Sequence, residues 1–362
     1  MTEIAANGLN NIVKYTVLGG AVLAGLAACS TAAPDVGAEG DGDFTIGPAY
    51  TNAPELSVRP GVPAGTVHEF TMNSLDSQIY PGIKPVTNAA YLPRDSFGNH
   101  VALPAAGGTT NGPYARRVWV YVPDQYVPGT AAPFMVVQDG GSYRARLVPI
   151  LDNMIAGRRL PALIAIMIDS GGGDAQGSER GLEYDTVSGQ YAEFIETEVL
   201  PRISRECHVA FTKNPDGRAA MGGSSGGAAA FSMGWFHPEL YHRILTYSGT
   251  FVNQQSPMNP EFPHGAWEYH DHLIAQSARK PLRIWIQVGE NDLHSKDPES
   301  TFHNWVLANQ RMAAALRAKG YHYQFVFCKG AGHVDGRAVA QTLPDALAWL
   351  WRGCPVPTGS GF

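Results

Sequence analysis

From Thr66 onward the chain alternates between short apolar or β-branched runs and longer stretches in which apolar residues recur every three or four positions. The short runs are Thr66–Met72, Arg117–Val122, Phe134–Gln138, Ala162–Ile168, Arg218–Met221, Arg243–Tyr247, Leu282–Val288 and Tyr323–Phe327. Several are apolar almost throughout, the pattern of central parallel strands covered on both faces. Helical spacing occupies Ala145–Ile155, Tyr191–Ser204, Gly226–Trp235, Trp267–Ala278, Phe302–Ala318 and Pro344–Trp351. Strand and helix alternate from Phe134 to the end. That order predicts an α/β domain with a mostly parallel, doubly wound sheet and helices on both faces.

The segments outside this pattern divide the chain. Between Ser74 and Arg116, Pro81, Pro85, Pro93 and Pro104 with scattered Gly predict loop and edge structure rather than a second domain. From Ser30 to about Pro63 the chain is rich in Ala, Gly, Pro and Asp with no apolar periodicity. Residues 29–65 are accordingly expected to be a flexible tether, residues 66–354 the folded domain and residues 355–362 a disordered tail. Tyr15 to Ala28 is a continuous small and apolar run, preceded by Lys14 and followed by Cys29. It is shorter than the roughly 20 residues a membrane-spanning helix needs and suits the apolar core of an export signal. Residues 1–28 are therefore expected to be a signal peptide. The junction Leu26-Ala27-Ala28-Cys29 resembles the lipobox of bacterial lipoproteins, which implies a diacylated Cys29, a lipid anchor as the only membrane contact, and a periplasmic or cell-surface location. An ordinary signal with an incidental cysteine would instead imply secretion.

Composition narrows the function. Charged residues are 16% of the chain against 44% hydrophobic, which excludes a disordered polyelectrolyte. The net charge is −6 and no Lys/Arg run is present, so no nucleic-acid partner is expected. With Cys29 set aside, Cys207, Cys328 and Cys354 remain, an odd number with no C-x-x-C spacing. Neither a disulfide scaffold nor a zinc ribbon is indicated, while a single disulfide and buried free thiols both stay open.

The most informative stretch is Arg218-Ala-Ala-Met-Gly-Gly-Ser-Ser-Gly-Gly-Ala-Ala-Ala-Phe231, a short strand that runs through a Gly/Ser cluster straight into an Ala-rich helix. Such an elbow strains its nucleophile outward, and only small residues fit two positions to either side, which is the demand that G-x-S-x-G states. The pattern fits in two registers. Ser224 is the expected nucleophile, because Gly at −2, +2 and +3 lets the helix start tightly and leaves the Ser225 N–H aimed at a developing oxyanion.

A serine hydroxyl needs a base, and the base an orienting acid. In this fold they follow in the order acid, then histidine. The run Leu282–Val288 ends in Gly289-Glu290-Asn291-Asp292, and Tyr323–Phe327 is followed by Gly330-Ala331-Gly332-His333. Asp292 is preferred over Glu290 because it lies further out on the loop and is shorter. Gly140 or Gly141, after Phe134–Gln138, is expected to supply the second oxyanion N–H. His264, His270 and His272 look at first like a metal cluster, but residues two apart on a helix point in different directions. A solvated helix surface is expected, with no metal and no cofactor.

Together these residues resemble the putative esterase family of α/β hydrolases, which includes feruloyl esterases, siderophore esterases, S-formylglutathione hydrolase and mycolyltransferases. The resemblance runs from about Thr66 to Arg352 and is carried by six pieces: Gln138-Asp139-Gly140; Arg180-Gly-Leu-Glu183-Tyr184-Asp185; Phe194-Ile-Glu-Thr-Glu198-Val-Leu-Pro201; the serine elbow; Gly289-x-x-Asp292; and Gly332-His333. It implies the α/β-hydrolase fold and puts the triad on Ser224, Asp292 and His333. Arg180, Glu183 and Tyr184 would then contact substrate, or Arg180 and Glu183 would pair to fix the following helix. An insert, Leu293 to His303, sets this chain apart from the family pattern; its His294 and His303 are expected to line the pocket, and Trp305 beyond it is a further expected substrate contact. The implied activity is ester hydrolysis through an acyl-enzyme, on small-molecule or polysaccharide-linked esters with short, phenolic (feruloyl-like) or acylated-sugar groups. An acyltransferase with the same triad and a catalytically silent binding lipoprotein are the rival expectations.

Overall fold

The computed structural model describes residues 37–82, 113–173, 178–255 and 258–354. All fall within one unit, Asp35–Phe362. The expected signal peptide, Cys29 and the 355–362 tail lie outside the described residues, as does much of the proline-rich stretch.

Among the described residues eleven strands form: β1 (Gly42–Ile46), β2 (Thr66–Asn73), β3 (Ala115–Val122), β4 (Ala131–Ala132), β5 (Phe134–Gln138), β6 (Ile164–Ile168), β7 (Ala210–Phe211), β8 (Arg218–Gly223), β9 (Arg243–Tyr247), β10 (Arg283–Gly289) and β11 (His322–Cys328). Nine of them make one sheet in the order β1-β11-β10-β9-β8-β5-β6-β3-β2, while β4 pairs with β7. The neighbours from β1 through β6 run parallel. The last two strands, β3 and β2, are antiparallel to their neighbours. The order doubles back between β5 and β8, the topological switch at which open α/β sheets hold their sites.

The helices are α1 (Gly140–Ala156), α2 (Glu179–Tyr184), α3 (Gln190–Phe194), α4 (Leu200–Cys207), α5 (Ser225–Phe236), α6 (Ile274–Gln276), α7 (Trp305–Ala318) and α8 (Gly336–Leu350). A π turn at Ile195–Val199 joins α3 to α4. The two-residue period of a strand sends successive side chains into separate cores. Val118, Val136, Ile166 and Ile286 pack with Phe231 of α5 and Leu316 of α7 on one face. Trp119, Val137, Met167 and Trp285 pack with Leu147 of α1 and Leu347 of α8 on the other. No helix among the described residues is long and apolar enough to cross a membrane.

One expectation is corrected here. Residues 29–65 are not all tether, because Gly42–Ile46 adds a parallel edge strand to β11, in register from Gly42 opposite Gln324 to Ile46 opposite Cys328. Ion pairs and hydrogen bonds hold it: Asp41 meets His322 at 2.8 Å, Asp43 meets Arg317 at 2.7 Å, and the Tyr323 hydroxyl donates to Asp43 at 3.0 Å. Further on, Asn153 of α1 donates to the carbonyls of Glu55 and Ser57, both at 2.9 Å. The folded domain therefore begins before Thr66. The cysteine question also closes: Cys207, Cys328 and Cys354 are buried free thiols.

Candidate active site

Strand β8 delivers the chain to Ser224, which takes φ 57° and ψ −129° before α5 begins. Positive φ is strained for a residue with a Cβ. Hydrogen bonds pin it: the Ser224 N–H donates to Tyr247 O at 2.9 Å, and its carbonyl accepts from Gly227 N at 2.9 Å and Thr250 N at 3.0 Å. At Gly222 a Cβ would strike the backbone of Gly226, so the spacing read from the sequence is a steric requirement.

The Ser224 hydroxyl lies 2.8 Å from His333 Nε2, and His333 Nδ1 lies 2.5 Å from Asp292 Oδ1. The consistent proton arrangement has the serine donating to Nε2 and Nδ1–H donating to the carboxylate. The Asp292 carboxylate is fully buried. Its Oδ1 accepts from Leu293 N at 2.7 Å, and its Oδ2 accepts from the Ser248 hydroxyl at 2.6 Å. Glu290, the competing acid, turns away and accepts from Gly330 N at 2.8 Å. Ser225, the alternative register, is buried with its hydroxyl accepting from Gln254 Nε2 at 3.4 Å, away from the imidazole.

Around the expected oxyanion site the two glycines part. The Gly141 N–H donates to Asp169 Oδ1 at 3.0 Å, so Gly141 is already committed. Gly140 opens α1 as Ser225 opens α5, and a first helical residue has its N–H ahead of the intrahelical ladder. Gly140 packs directly on the backbone of β6, where a Cβ would overlap Met167.

The Arg180-to-Tyr184 segment forms α2, capped by Ser178 through Gly181 N, and it departs from both sequence expectations. Glu183 is buried against Arg116 at 2.7 Å and accepts from the Tyr114 hydroxyl at 2.9 Å and Gly171 N at 3.0 Å. Tyr184 is 1% exposed, with its hydroxyl accepting from Asp139 N at 3.3 Å. Both residues are buried, and Glu183 pairs with Arg116 rather than with Arg180. Arg180 instead grips Asp139 with Nε and Nη2 at 2.7–3.2 Å. A buried, hydrogen-bonded ion pair of the Arg116–Glu183 kind fixes position more than it adds stability.

Trp305, expected to contact substrate, is 2% exposed and stands edge-on to the His333 ring at 6.2 Å, so it backs that ring. Its Nε1 donates to the Thr250 hydroxyl at 3.3 Å, and that hydroxyl lies 3.4 Å from Ser224 Oγ. The insert packs here: the His294 ring stacks on Trp305 at 5.8 Å, and His303 lies 5.6 Å from it. Burial, and then His294, lower the His303 imidazole below its usual range.

The other histidine cluster differs from expectation at one member. His270 is buried, its Nε2–H donating to Phe251 O at 3.0 Å, and burial pushes its pKa down to about 3. His264 and His272 flank buried Glu268 at 3.1 and 3.0 Å. Glu268, Asp271 and His272 bring ligand-type atoms within 4.8 Å of one another, but Arg311 already holds Asp271 at 2.9 Å.

The model of the family described as putative esterase matches residues 112–350. The chain belongs to the putative esterase family. It is 26% identical over 241 residues to the iron(III) enterobactin esterase of Dickeya dadantii (strain 3937), a match covering 66% of this chain and 52% of that protein. This chain thus spans about half the length of that relative. An uncharacterized Bacillus subtilis (strain 168) protein, YbbA, is 23% identical over 250 residues, covering 65% of this chain and 92% of that one. Solved structures share the α/β-hydrolase fold. The ferric enterobactin esterase of Salmonella typhimurium superposes with a TM-score of 0.53 at 20% identity, covering 81% of this chain and 60% of that one. The feruloyl esterase module of Clostridium thermocellum, complexed with sinapinate, gives 0.52 at 16% identity, covering 86% and 97%.

Sequence reasoning missed Ser248. Its hydroxyl donates to Asp292 and accepts from Val334 N at 2.9 Å, clasping the acid loop to the histidine loop. Ser248→Ala should lower kcat on an activated ester by about 10- to 100-fold, the value of a lost hydrogen bond to a charged group, with KM little changed. Parallel kinetics and thermal unfolding check this: a lower Tm with unchanged kcat would make Ser248 a purely structural residue.

Proposed function

We propose that this chain is a serine carboxylic ester hydrolase that works through an acyl-enzyme on esters with short, phenolic or acylated-sugar groups. The observation that carries the reading is the continuous hydrogen-bonded path from the strained Ser224 through His333 to buried Asp292. Membership of the putative esterase family supports it. Ser224 Oγ attacks the ester carbonyl as its proton passes to His333 Nε2, and Asp292 stabilises the imidazolium through Nδ1–H. The N–H groups of Ser225 and Gly140 receive the oxyanion. His333 then protonates the leaving alkoxide, and water repeats the sequence to release the acid.

Ser224→Ala should lower kcat by about 10⁴-fold or more, whereas Ser225→Ala, which keeps the backbone N–H, should cost far less. Steady-state kinetics with fluorophosphonate labelling of both variants measures this. Loss of labelling in Ser225→Ala but not Ser224→Ala would move the nucleophile.

The polar insert, with His294, Lys296, Asp297 and His303, supports a short or aromatic acyl group, because a long chain gains about 0.8 kcal/mol per buried CH₂ only against an apolar wall. On 4-nitrophenyl esters kcat/KM should peak at acetate or butyrate and fall beyond about eight carbons. A profile rising to palmitate would replace this substrate class with long-chain lipids.

Export with a lipid anchor on Cys29 is likewise proposed, supported by the apolar run and the Leu26-Ala27-Ala28-Cys29 junction. Mass spectrometry of the mature N-terminus should find diacylated Cys29, and Cys29→Ala should move the protein from membrane to soluble fractions. An unmodified N-terminus beyond Cys29 would defeat the proposal.

A further inference from the structure

A shallow cleft of about 690 Å3 opens beside His333. Its walls come from three parts of the chain: Ala145 and Arg146 on α1, the run from Val334 to Arg337 that starts α8, and Asn52 with Leu56 from the segment after β1. The charges in it are not equivalent. Arg337 is spent on Asp335, with Nη2 at 2.7 Å and Nε at 3.1 Å. Asp335 also accepts from the N–H groups of Gly332 and Arg337, so its carboxylate is saturated. Arg146 is half-buried against Gly336, where a Cβ would stand 2.9 Å from its Nη2. It has no hydrogen-bond or ion-pair partner among the described residues, whereas its helix neighbour Arg144 meets Glu69 at 3.5 Å. The cleft therefore holds one uncommitted guanidinium.

The reaction says which half of an ester enters. In the proposed reaction His333 Nε2 returns its proton to the leaving oxygen, so the leaving alcohol lies on the histidine side of Ser224, and the cleft lined by His333 offers it space. A guanidinium with free donors pairs best with a planar oxyanion that can accept two of them. We infer that the preferred substrates carry a carboxylate on the alcohol half, which docks on Arg146, making Arg146 a specificity-determining residue. The inference rests on the esterase reading above and narrows it to esters of hydroxy acids.

The test compares the acetate esters of 3- and 4-hydroxybenzoate with those of the corresponding hydroxybenzamides. Each kcat/KM is divided by the rate of hydroxide-catalysed hydrolysis of the same ester, which removes leaving-group electronics. The corrected carboxylate-to-amide ratio should be about tenfold in favour of the carboxylate for at least one isomer at low salt, and should fall as ionic strength rises. Arg146→Gln should bring the ratio to about one, Arg146→Glu should invert it, and Arg146→Lys should keep part of it. A ratio near one in the native protein, or one that Arg146→Gln and Arg146→Glu leave unmoved, overturns the inference while leaving the esterase reading intact. No hydrolysis of either ester, together with no fluorophosphonate labelling, overturns both.

Discussion

The backbone at Ser224 is the constraint on which the rest of the site depends. A side chain at φ 57° costs on the order of 1–3 kcal/mol and persists only where the surroundings over-determine it. Here they do so from three directions. Parallel pairing of β8 with β9 sets Gly223 opposite Tyr247, and the next N–H, that of Ser224, donates to the Tyr247 carbonyl. The loop after β9 returns Thr250 N to the Ser224 carbonyl. Helix α5 must then start immediately, passing so close to β8 that a Cβ on Gly222 would strike the Gly226 backbone, while a Cβ on Gly226 would press on Gln138 of β5 at 3.0 Å. The buried Ala228, Ala229 and Ala230 continue that close packing into the sheet.

Once the elbow is fixed, the remaining groups arrive because parallel strands end on the same edge. Asp139 follows β5, Ser248 follows β9, Asp292 follows β10 and His333 follows β11, so the carboxyl ends of neighbouring strands supply a compact set of side chains from distant positions in the chain. Neighbouring loops still have to be held against each other, and Ser248 does this with a single hydroxyl. It donates to the acid and accepts from the residue after the base, so a shift of either loop would break a hydrogen bond in a buried setting, where leaving a group unpaired costs about 1–3 kcal/mol.

How much of this could be read from the chain follows from what each element requires of its own residues. The strands from Thr66 to Cys328 that bury both faces have to be apolar throughout, and they appear where the apolar runs lie. The elbow is equally legible, since its glycines answer a local clash. Gly42–Ile46 was not legible: it is an edge strand whose three central residues are exposed, and its ordering comes from β11 and from Asp41 and Asp43 rather than from an apolar pattern. Helix α2 carried a usable signal in Ser178, whose hydroxyl caps Gly181 N, but the expected Arg180–Glu183 pair misplaces the partner of Glu183. Glu183 is interior only because Arg116, far away in sequence on β3, comes to meet it. Ser248 had no local signal at all, because its role is defined by two partners on two other loops.

The same long-range packing explains why the buried α2 segment still bears on the proposed chemistry. Asp139 sits in the left-handed region at φ 53°, immediately before Gly140, and its Oδ2 lies close enough to α5 that a Cβ on Gly226 would stand 3.3 Å away. A bare carboxylate there would oppose a negative charge growing between the first N–H groups of α1 and α5. Arg180 cancels that field with a bidentate pair at 2.7–3.2 Å, and Tyr184 accepts the Asp139 N–H so that the turn cannot relax. The buried pair of Glu183 with Arg116 in turn anchors α2, which carries Arg180 and Tyr184, to β3. Arg180, Glu183 and Tyr184 thus form a chain of restraint running from the sheet to the Asp139–Gly140 turn, through which they would act on the proposed chemistry.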